Sequence, residues 1–353
     1  MMSKIQQIRN TIRSIGTGYG LMSLTWKAVP TEQEQAFGAM KKAIDLARAS
    51  NHIAFFNVGE FYGKDRVNLH LVRDFFKKYP ELREHVIISC KGAMDLSDLH
   101  AMGKYDDVVK SVEACTEAIG GFIEIFEPAR LDMDICKEGE VYPKESIQAL
   151  KDLCDKGVIG AISLSEVDEK VINAVAADFG EYLACVEVEL SLFCDDILHN
   201  GVAKACSDHN MAIICYSPLG KGILTGQITK NSDIPDGDFR KMLKSFSDEA
   251  LQHNQEIVSF IRTEIIEKRP AGKEITLPQV ALAWIKHWNG DSSYPNAKFI
   301  PIPSGSSAAR VAENFDEEKS TISDEEFKKL NKYAFDFKPV GARYEFVSDP
   351  TKH

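Results

Sequence analysis

A phenol and an ammonium held at the ends of neighbouring apolar runs can share proton work, and the chain carries such a pair. The run Ile53-Ala54-Phe55-Phe56 leads into Asn57-Val58-Gly59-Glu60-Phe61-Tyr62-Gly63, and the run Val86-Ile87-Ile88-Ser89-Cys90 leads into Lys91-Gly92. A free phenol has a pKa of about 10. An adjacent ammonium favours the phenolate and lowers that value, so Tyr62 beside Lys91 reads as an acid in one direction and a base in the other. The plainer alternative is a tyrosine packed at a turn and a lysine on the surface. Polar residues recur at the ends of the other apolar runs: Glu127, Arg130, Ser165, Glu187, Tyr216 and Ser304.

Those runs need elements to hold them. Short stretches rich in Ile and Val alternate with longer amphipathic segments. The first run, around Ile12 to Gly16, reads as a strand and precedes Gly16-Thr17-Gly18-Tyr19-Gly20. Thr31 with Glu34 three residues on reads as a capping box, and Phe37, Met40, Ile44 and Ala47 form a helical stripe behind it. Further strands are expected at Ile53–Phe56, Val86–Ser89, Phe122–Phe126, Val158–Leu164, Ala184–Leu190, Met211–Cys215 and Phe299–Ile302, each followed by a helical pattern. Eight strand–helix units with strand starts about thirty residues apart leave a doubly wound sheet or a closed barrel, and the count favours a single α/β (β/α)8 TIM barrel spanning residues 1–353. In such a barrel, polar residues at the C-terminal ends of strands mark the site. The long polar loop 227–246 is either a plain surface connection or a cover folding over a cofactor.

Lys plus Arg number 42 against 53 Asp plus Glu, a net charge of −11, which argues against nucleic-acid or anionic membrane partners. The eight cysteines show no CxxC spacing and read as reduced core thiols, pointing to the cytosol, with the nucleus as a further compartment. No run reaches membrane-span length. The nine histidines show no ligand spacing, so no metal is expected. Asp316-Glu317-Glu318 reads as a solvated patch. No heptad or long exposed edge points to an extensive interface, so a monomer or weak oligomer is expected.

Taken in order, these stretches resemble the aldo-keto reductases over nearly the whole chain. Asn57 to Gly63 is similar to the family's DTAxxYG segment, and Ser89-Cys90-Lys91 to its TK segment. Gly157 to Val167 resembles GKIRAIGVSNF, and Val186 to Leu192 resembles VQNEYSL. Tyr216 to Gly226 is similar to YSPLGRGLLTG almost letter for letter. Ile302-Pro303-Ser304-Gly305-Ser306 with Arg310, Glu313 and Asn314 resembles the adenosine-phosphate segment. Within the family, FFNVGEFYG and EIFEPARLD look like the fungal pyridoxal reductases.

The resemblance implies an NADPH-dependent reductase of aldehydes, with pyridoxal as the leading substrate. It implies catalysis by Tyr62 and Lys91, with Asn57 where the family's Asp stands and Ala129 where its His stands. Glu127 is expected on the same barrel face, where it could supply the missing anion; capping a strand or binding an arginine is its plainer role. Ala129 leaves room for a flat pyridine ring, with Arg130 as a nearby donor and Trp26 as a pocket wall. The resemblance assigns the cofactor to Gly20, Leu21 and Met22, to Ser165 and Glu166, to Glu187 in the family's Gln position, and to Tyr216 as a stacking ring. It further assigns Ser217, Pro218, Leu219, Gly220 and Gly222 to the pyrophosphate, and Ser304, Gly305, Ser306, Arg310, Glu313 and Asn314 to the adenosine end. Arg310 predicts NADPH over NADH. The two altered positions leave a second reading open: an NADPH-binding regulatory or structural subunit with weak or lost catalysis.

Overall fold

Side-chain alternation along eight strands decides the architecture. The computed structural model describes residues 3–341 and 343. Its elements run α1 (Lys4–Ser14), β1 (Tyr19–Gly20), α2 (Met22–Thr25), α3 (Gln33–Ala49), β2 (Ala54–Gly59), α4 (Val67–Lys78), β3 (Val86–Gly92), α5 (Tyr105–Ile119) and β4 (Ile123–Pro128). They continue with α6 (Lys144–Asp155), β5 (Ile159–Ser165), α7 (Glu169–Phe179), β6 (Leu183–Glu189), α8 (Val202–Asp208), β7 (Ala212–Tyr216), α9 (Asp248–Ile261), α10 (Leu277–His287), β8 (Lys298–Pro301), α11 (Ala308–Asn314) and α12 (Asp324–Asp336).

Each strand pairs in parallel with the next, in the order β1 to β8. The seam between the last strand and the first is bridged where Gly18 N donates to Pro301 O (3.0 Å) and Gly20 N to Pro303 O (3.2 Å). Glycine is required at this close approach: a Cβ on Gly20 would meet Ile302 O at 2.9 Å, and one on Gly18 would meet Phe55 Cδ1 at the same distance. The fold is therefore the expected (β/α)8 barrel.

Inward residues stack in layers. Phe55, Ile87, Ile125, Ala161, Cys185, Ala212, Ile214 and Ile300 fill the lower barrel, and Ile8, Ile12 and Ile15 plug it from below. Outward residues such as Phe56, Ile88, Phe126, Val186 and Cys215 pack against the helical ring. Two positions further up β2 to β6, the inward residues turn polar: Asn57, Ser89, Glu127, Ser163 and Glu187 are all at most 2% exposed. The period of two that builds the core thus delivers a buried polar layer to the C-terminal mouth.

Two local expectations are corrected. Ile12 to Gly16 is not a strand; it ends α1, because Ile5, Ile8 and Ile12 recur at helical spacing and Ser3 caps the helix by accepting from Gln6 N (3.2 Å). Thr31 does not cap α3: its N–H is committed to Leu24 O (2.8 Å), and Glu32 accepts from Gln35 N instead (3.0 Å). Asp316-Glu317-Glu318 is also more than a solvated patch, since Glu317 binds Thr17 Oγ1 (2.7 Å) and Lys286 Nζ (2.9 Å). The loop 227–246 is an ordered strap with three 3-10 turns, anchored by buried Ile228, Ile234 and Phe246. Among the described residues no helix is long and apolar enough to cross a membrane.

Candidate active site

Tyr62 is fixed by the turn that leaves β2. Its ring lies on Gly59, where a Cβ would sit 2.8 Å from the ring carbons, so the glycine makes room for the phenol. Thr25 Oγ1 donates to Tyr62 O (2.6 Å), and the wholly buried Asn68 ties the turn together. Its Oδ1 accepts from Gly59 N (3.2 Å), while its Nδ2 donates to Leu21 O (3.1 Å) and Thr25 Oγ1 (2.9 Å). Trp26 stacks on Tyr62 with centroids 5.9 Å apart and meets Phe61 edge-on. The Tyr62 hydroxyl donates to Asn57 Oδ1 at 3.5 Å.

Lys91 extends from β3 into the same layer, and it meets two carboxylates. Its Nζ is 2.6 Å from Glu187 Oε1 and 3.6 Å from Glu127 Oε1. Asn57 Nδ2 donates to the other oxygen of Glu187 (2.7 Å). Ser163 Oγ donates to Glu127 Oε2. Alternation does put Glu127 on the barrel face with Lys91, yet the nearer anion comes from β6. Glu127 is also fully buried and bonded to β5, so it underlies the pocket and does not line it for substrate. Glu187, expected to face a cofactor carboxamide, has both oxygens engaged by Lys91 and Asn57.

Burial pushes the Tyr62 phenol above its ordinary value; Lys91 pulls it down, and Glu187 and Glu127 push it up again. The expected net lowering is therefore not found, because burial outweighs the ammonium. Burial opposes the charge on Lys91, but Glu187, Tyr62 and Glu127 together hold its pKa well above the usual lysine range. Burial first and Glu187 second raise Glu127 to about 8, against the pull of Lys91.

A second set of expected residues gathers around β5, β6 and β7. Ser165 and Glu166 are 1% and 2% exposed; Ser165 Oγ and Glu166 Oε2 have no hydrogen-bond partner among the described residues. Glu166 holds a left-handed backbone (φ 53°), which its Oε1 helps fix by accepting from Glu189 N (3.2 Å). Arg343, from the C-terminal end of the described chain, binds Glu166 (2.6 Å) and Glu189 (3.0 Å) and donates to Tyr216 Oη (3.4 Å). Lys221 binds Glu189 at 2.9 Å. Lys91 Nζ stands 5.2 Å from the Tyr216 ring centroid. After Tyr216, Ser217, Gly220, Lys221 and Gly222 all have positive φ (48°, 57°, 53° and 106°). Such a run turns successive N–H groups toward one concavity. Pro218 is buried there, and Leu219 half-buried.

At the far end, Gly20, Leu21 and Met22 lead from β1 into α2, with Leu21 buried and Met22 half-buried. Ser304 Oγ donates to Gly20 O (2.9 Å), Gly305 O accepts from Tyr19 Oη, and Ser306 O accepts from Gln35 Nε2 (2.6 Å). Asn314 is a brace, its Nδ2 donating to Ser304 O (3.2 Å), while Glu313 is half-buried and gives its carbonyl to Gln279. Arg310 is exposed and donates to Gln227 Oε1 (2.9 Å) at the foot of the strap. Lys27 feels both the repulsion of Arg310 and the attraction of Asp238 in the strap, and burial followed by Arg310 lowers its pKa. Of the residues expected to line a substrate pocket, Trp26 is 37% exposed and Ala129 3%. Arg130 is half-buried, with Nη1 donating to Ala129 O (2.6 Å).

The sequence profile of the aldo/keto reductase family matches residues 17–334. The chain belongs to the aldo/keto reductase family. As a member it is an oxidoreductase acting on aldehyde or alcohol groups, in a family that generally uses NADP(H). It is 57% identical to a Saccharomyces cerevisiae protein named "Putative pyridoxal reductase", over 97% of this chain and 99% of that one. A Schizosaccharomyces pombe protein named "Probable pyridoxal reductase 2" is 31% identical, over 93% of each chain. Another from that yeast, an aldo-keto reductase whose name carries the cofactor label NADP(+), is 28% identical over 93% of this chain and 90% of its own.

Asn68, Glu189, Lys221, Arg343 and Lys27 were not singled out from sequence. Glu189 was findable, since period two on β6 carries Glu187 and Glu189 to one face. Arg343 gave no signal, because its partners lie 177 and 154 residues away. Asp95, Asp98 and His100 bring potential ligand atoms within 4.8 Å of one another, but Asp95 is taken up by Ser97 and Asp98 by His100.

Proposed function

We propose that this chain is an NADPH-dependent aldehyde reductase whose leading substrate is pyridoxal, converted reversibly to pyridoxine, with Tyr62 as proton donor and Lys91 as its electrostatic partner. One observation carries the reading: a buried phenol and a buried ammonium share the mouth of the barrel, under a stacked tryptophan. A mere binding subunit has no use for a desolvated lysine aimed into its pocket.

The bound cofactor supplies the hydride. The chain supplies position and a proton. Tyr62 stays protonated through the neutral range, which suits delivery of a proton to a carbonyl oxygen as charge develops there. Lys91 then faces the phenolate and offsets its charge. Trp26 roofs the phenol and walls the pocket, and the small Ala129 leaves space for a flat ring, with Arg130 beside it. Ser165 Oγ and Glu166 Oε2 suit a carboxamide that both donates and accepts, and Tyr216 offers a stacking face. The turn from Ser217 to Gly222 suits the pyrophosphate. Gly20, Leu21 and Met22 floor the groove that runs toward Ser304, Gly305 and Ser306.

Support for NADPH over NADH comes from the Lys27 and Arg310 pair. Two cations that repel each other in the free protein gain from an added phosphate between them. The strap 227–246 reaches from the Lys221 turn, where Arg240 Nη1 donates to Lys221 O (2.9 Å), to Gly237 against Ala28. That span fits a cover over the cofactor. The test is the loss of NADPH absorbance with pyridoxal and a panel of aldehydes, against Tyr62→Phe. Turnover by the native chain and none by the variant supports the reading. Tight NADPH binding with no turnover on any aldehyde supports the subunit reading instead.

A further inference from the structure

The buried cluster around Lys91 holds an uneven set of charges: one ammonium faces two carboxylates. An ammonium whose side chain is 9% exposed needs an anion in contact. Asn57, whose Oδ1 accepts from the Tyr62 hydroxyl at 3.5 Å, carries no charge. Glu187 Oε1 is at 2.6 Å, while Glu127 Oε1 stands off at 3.6 Å. The other Glu187 oxygen is held by Asn57 Nδ2 at 2.7 Å, so the carboxylate is clamped between an amide on β2 and an ammonium on β3.

We infer that Glu187 is the positioning residue for the proton-donating pair: it is the counter-ion that holds Lys91 against Tyr62, and Asn57 serves as its bracket. The inference rests on the reductase reading only for its kinetic consequences. Glu127 then keeps a proton and stays neutral over most of the working range, so that the cluster carries one cation and one anion. The hydrogen bond from Ser163 favours the carboxylate, but burial and the nearby Glu187 charge outweigh it. The groups facing Glu187 are Lys91 from β3, Glu127 from β4 and Tyr62 from the turn after β2. The thiols of Cys185 and Cys215 lie behind it, both pushed up by burial.

This assignment makes the site's anion transferable. The Asn57 amide nitrogen lies against the Glu187 carboxylate, so moving the negative charge from β6 to β2 moves it by one hydrogen bond. Glu187→Gln removes it, and Asn57→Asp with Glu187→Gln restores it from the opposite side. Asn57→Asp alone puts three carboxyl groups around one ammonium.

The experiment compares the native chain, Glu187→Gln, Glu187→Asp, Asn57→Asp and the double variant. Steady-state reduction of pyridoxal is read as kcat and KM across pH. The titration of Lys91 is read separately by nitrogen-15 NMR on lysine-labelled, cofactor-free protein, with Lys91→Met giving the assignment. Glu187→Gln is expected to lower kcat by about ten- to a hundredfold, with KM for pyridoxal nearly unchanged, and to shift the Lys91 titration to lower pH. Glu187→Asp, which keeps the charge, and the double variant recover most of the loss in both readouts. Asn57→Asp alone changes the pH profile. Native kcat and native Lys91 titration in Glu187→Gln overturn the inference, and so does a double variant no better than that single one. If the native chain reduces no aldehyde, the reductase reading fails while the lysine titration still decides the role of Glu187. If the double variant does not fold, Glu187→Asp against Glu187→Gln decides it.

Discussion

Two ion clusters, the inner one buried and the outer one partly so, sit side by side at the mouth of this barrel, and they are built differently. The inner one sets Lys91 against Glu187 and Glu127, one cation for two carboxyl groups. The outer one sets Arg343 and Lys221 against Glu166 and Glu189, two cations for two carboxylates. The outer cluster is balanced and serves as a clasp, drawing a C-terminal residue onto the strands that carry Ser165 and Tyr216. The inner cluster is short of a cation, and burial beside Glu187 pushes the Glu127 carboxyl up to about 8. Balanced charge suits holding, whereas a missing counter-charge suits proton handling. The adjacency matters too, because Glu187 and Glu189 leave one strand two residues apart, one into each cluster.

The comparison breaks hardest at the inner cation. Lys91→Met strands the Glu187 charge, and a broken buried pair costs about 3–5 kcal/mol. Denaturant unfolding should show that loss at neutral pH, and kcat should fall by about 10²–10⁴-fold with the loss of proton assistance. At the outer clasp, Arg343→Met leaves Glu166 and half of Glu189 unpaired. Its side chain is 7% exposed, so a loss of about 3 kcal/mol is expected in the same experiment. Cofactor binding, followed by fluorescence titration, should weaken more than kcat does. An equal fall in kcat for both variants would erase the distinction between holding and proton handling.

A subtler effect belongs to Glu127. Its carboxyl is raised from 4.5 to about 8, so the folded chain keeps a proton that the unfolded chain releases. Stability from this group is full below pH 4.5 and is lost as pH rises to about 8. Glu127→Gln should flatten that slope in pH-dependent unfolding, with kcat at pH 6 close to native. The smallest expected effect is at Arg310, which is exposed. Arg310→Ala should reduce the preference for NADPH over NADH by about tenfold, read as a ratio of kcat/KM, without moving the unfolding midpoint.

The barrel was legible because its period is short and repeated. Alternation put Glu127 on the barrel's inner face, polar residues at strand ends marked the mouth, and ordered motifs placed the loops around it. What escaped was pairing within the buried polar layer. Glu127 and Glu187 look alike in sequence; Glu127 lies opposite Lys91 on the paired strand β4 but turns its carboxylate to Ser163, while Glu187 from β6 brings an oxygen to 2.6 Å from Lys91 Nζ. Arg343 escaped because no local pattern links a terminal residue to Glu166 and Glu189. The Ile5, Ile8 and Ile12 stripe carries helical spacing, which the run from Ile12 to Gly16 taken alone conceals.

The central claim is that a buried phenol and ammonium make this chain a reductase. A single-turnover reaction of the NADPH-loaded protein with pyridoxal tests it most directly. The native chain should form one pyridoxine for each NADPH consumed, while Tyr62→Phe should bind NADPH equally well and form none. Native protein that consumes no NADPH, or a Tyr62→Phe variant that matches it, would contradict the account.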